Sequence, residues 1–563
     1  MAADLSFYAL THGWPGLGLA YASVQGPMLA GLARARAAWQ QILLSPVVAV
    51  PVMMATGVGL SLIKPALGAM GVASGGVAQV AVGAAITVAV GYATGRAIAR
   101  PRTQHSQHRR GALVVDARRP DVRTQGQGAA AVPSLARSNG LTLAGLPVPP
   151  GDETKHFKLI GTTGTGKSTA IAELLGAALR RGDRAVIADP DGGYLRRYYN
   201  PARGDVILNP FDQRSAKWDL FGEIQQPYDV EQLARSLIPD YESGDRIWRG
   251  YARTFLTAVT RQAHAAGVRD AGELYRLLVI APTAEQRALT IGTPAQPFLE
   301  EHNSRMFDSI RSVTSSAVAS LEHIAQQRGA PFSVRQWVGR AQEGRGGVLF
   351  MPYRAGQIAA LRSTISAWMR IAIFEAMAGP EQDQHLWFVV DELDALGQID
   401  GLKDALARLR KFGGRCVLGL QSIAQVGSTY GAGDARTIVE NCGNSLILRC
   451  SASEGGGTSR FASTLIGQRE VLRTTQSRSR RPSEFLGSVT HSQHVSIESA
   501  VMDSEVEQLP DLAGYLKFAS SERWFRVALQ PPRPAAARDA SAPAFVPSQP
   551  TRAANRDSPE AGL

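Results

Sequence analysis

The stretch Gly161-Thr162-Thr163-Gly164-Thr165-Gly166-Lys167-Ser168 decides the predicted fold. It follows an apolar run, Phe157–Ile160, and precedes a helical pattern that begins at Thr169 and ends at Arg180. Strand, glycine-rich loop and helix therefore stand in the order of a P-loop. A glycine-rich turn with an incidental lysine does not explain the flanking strand and helix. We therefore predict a site that binds and hydrolyses a nucleoside triphosphate.

Each part of this loop has a chemical task in that prediction. The glycines let the backbone curl, so that N–H groups from Gly161 to Thr169 and the helix N-terminus point at phosphate oxygens. Lys167 reaches the β- and γ-phosphates, and the Ser168 hydroxyl is a ligand of Mg²⁺. The cofactors predicted by the pattern are ATP and Mg²⁺.

A second motif lies far along the chain, where Asp391 and Glu392 follow the apolar run Leu386–Val390. We predict that Asp391 holds Mg²⁺, largely through water. Glu392 is predicted to orient or deprotonate the water that attacks the γ-phosphate, as phosphoryl transfer requires. The alternative is an acidic N-cap on the next helix, but an N-cap does not explain the apolar residues before the pair.

Several further polar residues are weaker candidates for the same site. The carboxylates among them are Glu173, Asp189, Asp191 and Asp394. Asp189 ends the strand-like residues 185–188 at the edge of the sheet where ligands gather, yet Asp189-Pro190-Asp191-Gly192 is also ordinary turn chemistry, and both interpretations stay open. Gln421 follows the strand-like residues 416–420 and could sense the γ-phosphate, although a lone glutamine is a weak signal.

Composition limits the protein class and indicates a partner. The chain has 563 residues, of which 44% are hydrophobic and 19% charged, so it can hold two or three packed domains and is not a disordered protein. A formal net charge of +12 favours an anionic partner, either nucleic acid or lipid headgroups. The three cysteines have no metal-ligand spacing, which predicts buried, reduced thiols in a cytosolic domain.

Two long uncharged runs near the N-terminus, 42–63 and 65–95, are separated by Lys64. They predict two transmembrane helices at about 42–63 and 70–95, with a buried soluble hairpin as the alternative. Arginines precede the first run and follow the second run. They predict a multi-pass protein with both ends in the cytoplasm. Residues 5–33 are also uncharged and could form a third span, although two prolines interrupt them.

The remaining chain divides by composition and periodicity. Residues 1–95 form the membrane anchor, 96–140 a basic linker, and 531–563 a Pro-rich tail that we expect to be disordered. The distance from Lys167 to Asp391 exceeds what a compact strand–helix–strand unit needs, and 223–329 shows helical periodicity. We therefore predict an α/β nucleotide-binding domain, 141–222 and 330–530, with an inserted all-α domain at 223–329.

These motifs together closely resemble the coupling proteins of conjugative type IV secretion, of the TrwB kind. The resemblance covers most of residues 155–530 and also rests on residues 189–192, 207–214 and 419–422. It implies a RecA-like motor with an all-α insertion, and six motors in a ring at the bacterial inner membrane beneath the secretion channel. The implied partners are DNA, a relaxase, the channel proteins and five further copies of the chain.

The resemblance also implies roles for single residues. Gln421 matches a glutamine that senses the nucleotide. Arg410 matches an arginine proposed to reach the γ-phosphate of a neighbouring subunit. Without the resemblance, the basic cluster would be interpreted as a solvated helix face, and both interpretations stay open. The members of that cluster are Arg408, Arg410, Lys411 and Arg415.

Three functions compete at this point. The first is an inner-membrane, DNA-dependent ATPase that moves a relaxase–DNA substrate into a secretion channel, with DNA contacts that are largely independent of sequence. A septal chromosome pump of the FtsK type is the second, but its extra spans, long linker and C-terminal winged helix are not evident. The third is a recruiting platform for secreted proteins with a purely structural nucleotide site, against which an intact Glu392 argues.

Overall fold

The structure, a computed structural model, describes residues 14–35, 37, 39–69, 77–98, 106–117, 140–240, 245–339, 347–379, 381, 385–479, 488–531 and 542–548. The chain divides into two compact units. The first contains Met1–Arg109 and Val471–Ser496, and the second contains Arg110–Glu470 and Ile497–Leu563. All of the motifs singled out above lie in the second unit.

Most strands belong to one large sheet. In chain order the strands of the described residues are β1 Ser106–Gly111, β2 Leu113–Asp116, β3 Thr142–Leu143, β4 Leu146–Pro147, β5 Phe157–Ile160, β6 Arg184–Pro190, β7 Val206–Ile207, β8 Lys217–Trp218, β9 Pro331–Phe332, β10 Val348–Tyr353, β11 Leu386–Val390, β12 Gly414–Leu420, β13 Asn444–Ile447, β14 Gln468–Ser479, β15 Ser488–Ser499, β16 Ala513–Lys517 and β17 Arg523–Ala528. Ten of them form a sheet in the order β2-β17-β16-β13-β5-β12-β11-β6-β10-β7. The strands from β13 to β7 in this order are all parallel, so their carboxyl ends meet at one edge.

The central strands are apolar because both faces of the sheet are covered. Every residue of β11 is buried, and its side chains alternate between two hydrophobic clusters. Trp387 and Val389 join the cluster that contains the helix Lys167–Arg181, whereas Phe388 and Val390 join the cluster that contains the helix Ile358–Ala376. The two layers of helices thus hold the sheet from opposite sides.

Helices account for most of the remaining structure of the second unit. In chain order they are Lys167–Arg181, Gly193–Tyr198, Asp229–Leu237, Arg246–Ala265, Ala271–Tyr275, Thr283–Leu289, Ser304–Val318, Ser320–Ala325, Val334–Gly339, Ile358–Ala376, Leu402–Leu409, Ile423–Tyr430, Ala432–Asn441, Gly457–Ile466 and Asp503–Glu507. The three cysteines are buried and free, as predicted.

The predicted insertion, 223–329, is helical in the structure. Between Asp229 and Ala325 the described residues contain helices and turns, including a π-helical turn at Arg276–Ile280, and no strand. These helices share one hydrophobic cluster with a face of the sheet, in which Phe255 and Phe307 pack edge to face. The insertion and the sheet therefore have a common core, and the division into separate domains stays a prediction.

A buried carboxylate joins the two ends of this insertion. Glu223, just after β8, accepts hydrogen bonds from the indole N–H of Trp218 at 3.0 Å and from the hydroxyl of Ser333 at 3.0 Å. It also accepts from the backbone N–H groups of Val334 at 2.7 Å and Arg335 at 3.0 Å, at the start of the helix that follows β9. Burial raises the pKa of Glu223, and these donors offset the shift in part.

Within the part of the first unit that the structure describes, the N-terminal helices are Trp14–Arg34, Trp39–Ala69 and Val77–Ile98. Among the described residues one helical segment, Trp39–Gly59, is long and apolar enough to cross a membrane, and Val82–Ile98 is a shorter apolar segment. The first predicted span, 42–63, lies in the helix Trp39–Ala69. The second, 70–95, is matched only from residue 77 onward, and 70–76 lie outside the described residues, so two spans remain a prediction.

Residues 5–33 were the candidate for a third span. Their described part, from residue 14 onward, lies in the helix Trp14–Arg34, which has Pro27 inside it. This helix packs tightly on Val77–Ile98 through glycines. A Cβ atom added to Gly95 would lie 2.2 Å from the carbonyl oxygen of Met28, and one added to Gly31 would lie 2.5 Å from that of Tyr92. Small residues allow such close backbone approach between apolar helices.

Two terminal segments differ from their predicted character. The linker at 96–140 contains β1 and β2, and β2 pairs with β17 at an edge of the large sheet. The prediction of a disordered tail at 531–563 is wrong for residues 542–548, which lie against the turn at 211–213 and hydrogen-bond to it. Proline and alanine favoured disorder in the sequence, but here they form an extended segment that needs few N–H donors.

We predict that Glu223→Ala lowers the free energy of unfolding by about 3 kcal/mol, because four donors, three of them buried, lose their acceptor. Thermal unfolding of the full chain in detergent measures this as a lower midpoint. The control is Glu522→Ala at an exposed glutamate, which should change the midpoint little. Equal midpoints for Glu223→Ala and the wild type would contradict the prediction.

Candidate active site

A cavity of about 460 Å³ opens at the carboxyl edge of the sheet, beside the loop that follows β5. The P-loop, the turn after β6 and the ends of β11 and β12 all contribute to its wall. Its lining residues are Thr163, Gly164, Gly166, Lys167, Ser168, Thr169, Ala172, Pro190, Asp191, Gly193, Tyr194, Arg197, Asp391, Glu392, Gln421 and Leu512. Elements far apart in the chain thus meet at one site because their strands are parallel neighbours.

The glycine-rich loop has the curled backbone that its sequence predicts. Gly164 and Gly166 have φ angles of 79° and 116°, in the region that favours glycine, and Gly166 is the N-cap of the helix Lys167–Arg181. The Thr165 hydroxyl donates to the carbonyl of Thr162 at 2.7 Å and closes the loop. The predicted phosphate contacts Gly161, Thr162 and Thr165 support this curl but do not line the cavity.

Lys167 is held inside the loop. Its ammonium group donates to the carbonyl oxygens of Gly161 at 2.6 Å and Thr162 at 3.1 Å. Burial lowers the pKa of Lys167, and the negative charges of Asp391 and Glu392 offset this shift in part. The cation therefore sits between the loop and the carboxylates at the end of β11.

The carboxylate of Asp391 is buried and receives two hydrogen bonds on one oxygen. The Ser168 hydroxyl donates to Oδ2 at 2.6 Å, and the Tyr194 hydroxyl donates to the same atom at 2.9 Å. The other oxygen, Oδ1, is buried and has no hydrogen-bond partner among the described residues. An unpartnered buried carboxylate oxygen is costly, and a hard cation with its water would satisfy it. Ser168 and Asp391 therefore fit Mg²⁺.

A chain of hydrogen bonds links Glu392 to the glycine-rich loop. The amide of Gln421 donates to Glu392 Oε1 at 2.6 Å, and the Thr163 hydroxyl donates to Gln421 Oε1 at 3.3 Å. The pKa of Glu392 is raised, first by burial and then by the charges of Asp391 and Asp394. This shift brings the carboxylate closer to the range in which it can accept a proton from water.

Of the two interpretations of Asp189, a part of the ligand site or a residue of a turn, the structure favours the turn. Its carboxylate is buried and accepts the backbone N–H groups of Tyr194 at 3.1 Å and Leu195 at 2.7 Å, at the start of the helix Gly193–Tyr198. Burial raises the pKa of Asp189 to about 7, although these N–H groups act in the opposite direction. Asp189 thereby orients the helix that brings Tyr194 to Asp391.

The other weak carboxylate candidates differ in position. Glu173 lies away from the cavity and accepts the N–H groups of Ala144 and Gly145, each at 2.9 Å, so it anchors the β3–β4 hairpin. Asp191 lines the cavity. Asp394 does not line it, and its charge acts on Glu392 from nearby.

Arg410 does not line the cavity of its own chain and is exposed, at the start of a short 3₁₀ turn after the helix Leu402–Leu409. The interpretation of the whole cluster as a solvated face is wrong for Arg415, which is buried and pairs with Glu153 at 3.1 Å. Arg415 points inward because it belongs to the central strand β12.

Sequence reasoning missed two polar residues of the cavity wall, Tyr194 and Arg197. Both lie on the helix whose first N–H groups donate to the carboxylate of Asp189. The signal available in the sequence was the turn Asp189–Gly192 directly after a strand, which placed the start of a helix at the ligand edge of the sheet. The contact of Tyr194 with Asp391 depends on the pairing of β6 with β11 and has no local signal.

Comparison with known proteins adds to this geometry. A family model described as the type IV secretion-system coupling protein DNA-binding domain matches residues 140–530. The chain belongs to the type IV secretion-system coupling protein family. The coupling protein TraD of Escherichia coli (strain K12) is 30% identical over 384 residues, which are 68% of this chain and 53% of TraD. This coupling protein therefore spans about half the length of that curated relative.

Solved structures of TrwB are similar to this coupling protein. The bacterial conjugative coupling protein TrwBdeltaN70, in an unbound form, is 31% identical with a TM-score of 0.66, covering 78% of this chain and 98% of that one. The plasmid coupling protein TrwB in complex with ADP and Mg²⁺ is 30% identical, with the same TM-score and coverage. The predicted α/β fold and the resemblance to coupling proteins are confirmed.

We predict that Tyr194→Phe raises the Mg²⁺ concentration needed for half-maximal nucleotide binding by about tenfold, because groups that orient a metal ligand typically matter by that factor. Titration of Mg²⁺ against a fluorescent ATP analogue measures it. Tyr198→Phe is the matched control, since that hydroxyl on the same helix donates to Ala172 at 2.7 Å. The same Mg²⁺ dependence in both variants would remove Tyr194 from the site.

Proposed function

We propose that this coupling protein is an inner-membrane ATPase that moves DNA towards a type IV secretion channel in conjugation. The observation that carries the proposal is the convergence of Lys167, Ser168, Asp391, Glu392 and Gln421 on one cavity. It agrees with the nucleotide and Mg²⁺ in the TrwB complex. The family match supports a coupling protein rather than a septal pump.

The cavity suits ATP and Mg²⁺ in shape and chemistry. Its volume of about 460 Å³ is in the range of small-molecule sites, and a helix N-terminus opens onto it at Gly166. Asp391, with its unpartnered Oδ1, and Ser168 supply the oxygen ligands that Mg²⁺ prefers. The metal, when bound, neutralises negative charge on the phosphates.

Different residues of the cavity have different roles in hydrolysis. Lys167 and the N–H groups of the loop bind and orient the phosphates. Glu392 orients the attacking water and accepts its proton, for which its raised pKa is suited. Gln421 holds Glu392 through one amide atom and contacts Thr163 of the loop through the other. A change at the phosphate loop can therefore reach the water-positioning carboxylate through a single side chain.

Other features support the DNA and membrane parts of the proposal. The net charge of +12 suits phosphate contacts that are independent of sequence, and the matching family model describes a DNA-binding domain. The apolar segment Trp39–Gly59 suits an anchor. We propose that a second span follows it and that both ends lie in the cytoplasm. The assembly we propose is a ring of six subunits that receives DNA from a relaxase and contacts the channel proteins.

We predict that Glu392→Gln reduces ATP hydrolysis at least ~100-fold while nucleotide binding is retained, because only the proton acceptor is lost. Lys167→Ala should lose both binding and hydrolysis. Turnover is measured with and without DNA in the purified full chain, and Glu522→Gln is the control. Wild-type hydrolysis by Glu392→Gln would exclude its catalytic role. ATP hydrolysis that DNA does not stimulate would favour the recruiting platform instead of a motor.

We also predict that Arg410→Ala binds ATP normally but hydrolyses it roughly 10³-fold more slowly, because a cationic finger from a neighbour stabilises the transferring phosphoryl group. Its exposure and its absence from its own cavity suit a role between subunits. Mixing Arg410→Ala with Lys167→Ala subunits should restore some activity. Arg408→Ala, at a nearby exposed arginine, is the control. Mixed rings without restored activity would place Arg410 outside the neighbouring site.

A further inference from the structure

A short segment of the C-terminal tail, residues 542–548, adds to the turn that follows β7. The backbone N–H of Gln213 donates to the carbonyl of Val546 at 2.8 Å, and the N–H of Ser548 donates to the carbonyl of Phe211 at 2.9 Å. Asp212 and Pro547 form an antiparallel bridge between these bonds. The tail thus binds as an extended peptide that pairs through its main chain.

The surface under this segment, which we call the strap site, consists of Phe211–Gln213, Arg354 and Gly192. The guanidinium of Arg354 lies 4.1 Å from the centre of the Phe545 ring, a cation–π distance. The buried carboxylate of Asp212 accepts the N–H of Val546 at 3.1 Å. The strap site therefore offers a main-chain edge, an acceptor and a cation for an aromatic ring.

The acceptor in the strap site, the carboxylate of Asp212, is positioned by the neighbouring Arg214 and not by the tail. Both oxygens of Asp212 accept hydrogen bonds from the guanidinium of Arg214, at 3.0 and 2.8 Å. A carboxylate that is already oriented binds a peptide N–H with little further loss of side-chain entropy. The acceptor of the strap site is thus oriented by residues outside the tail.

The tail sequence suits this extended mode of binding. The two N–H groups that donate belong to Val546 and Ser548, whereas Pro543 and Pro547 occupy positions where no donor is used. Proline also restricts the free chain to extended conformations, so less entropy is lost on docking. Proline therefore stands only at positions where the strap site needs no N–H donor, and residues with an N–H stand where it does.

Docking also brings the tail against the wall of the nucleotide cavity. A Cβ atom added to Gly192 would lie 2.6 Å from the carbonyl oxygen of Ala544, so the tail backbone passes directly over this glycine. Gly192 stands between Asp191 and Gly193, which both line the cavity, and it is the N-cap of the helix that carries Tyr194. An occupied strap site restricts the movement of this turn.

We propose that the strap site is a peptide-docking surface whose occupant is residues 542–548 of the same chain, and that its occupation slows nucleotide exchange. The second half rests on the proposed function, whereas docking itself does not. A tether of about ten residues gives a local concentration on the order of 1 mM. A segment with a Kd on the order of 0.1 mM is then docked about nine-tenths of the time, yet another extended peptide can displace it.

Hydrogen exchange of the full chain in detergent tests the docking. Phe545→Ala and Arg354→Ala should each speed exchange of the Gln213 amide by up to about tenfold, which is roughly one plus the ratio of local concentration to Kd. Arg305→Ala, at an exposed arginine of the helical segment, is the control. A synthetic peptide of residues 540–549, added at millimolar concentration to the Phe545→Ala chain, should restore the protection. Unchanged exchange in both variants, or no protection by the peptide, would overturn the docking.

Release of a fluorescent ADP analogue from the same proteins tests the coupling. Release should be faster from Phe545→Ala and Arg354→Ala than from the wild type and Arg305→Ala, and the added peptide should slow it again. Faster hydrogen exchange at Gln213 with unchanged ADP release would overturn the proposed effect on nucleotide exchange, while the docking itself would still stand. A wild-type chain that binds no nucleotide would refute the proposed function, and the hydrogen-exchange result would still decide on the docking.

Discussion

The shared hydrogen bonding at Asp391 Oδ2 is the interaction on which the site depends. Ser168 reaches this atom from the first turn of the helix after β5, and Tyr194 reaches it from the helix after β6. Asp391 itself directly follows β11, which pairs with β6 on one side and with β12 on the other. A different order of these parallel strands would separate the two hydroxyls from the carboxylate. The sheet thus positions Oδ1, the oxygen left for a metal.

Charge in this cavity is balanced within a small volume. Lys167 is surrounded by loop carbonyls and faces the carboxylates of Asp391 and Glu392, whose charges keep its pKa from falling further. Burial and the neighbouring carboxylates raise the pKa of Glu392, and Gln421 restrains it by donating to the ionised form. The same groups that bind phosphate therefore set the basicity of the residue that handles water.

Two additions to the sheet are integrated with it rather than appended. The helical segment shares a hydrophobic cluster with one face of the sheet, and Glu223 ties both of its ends together through buried hydrogen bonds. The tail segment 542–548 pairs with Phe211–Gln213 and covers Gly192 at the rim of the cavity. Both additions therefore contact the strands and turns that carry the nucleotide site.

The sequence by itself determined the parts of the site that consist of consecutive residues. The loop from Gly161 to Ser168 and the pair Asp391–Glu392 follow buried strands, and their local pattern is sufficient to predict backbone curvature, charge and position at a strand end. Only the tertiary structure decided that Asp189 accepts the first N–H groups of a helix, that Tyr194 contacts Asp391, that Arg415 is buried and that part of the tail is docked. These outcomes depend on strand pairing and burial between residues distant in sequence, for which neither periodicity nor composition carries a signal.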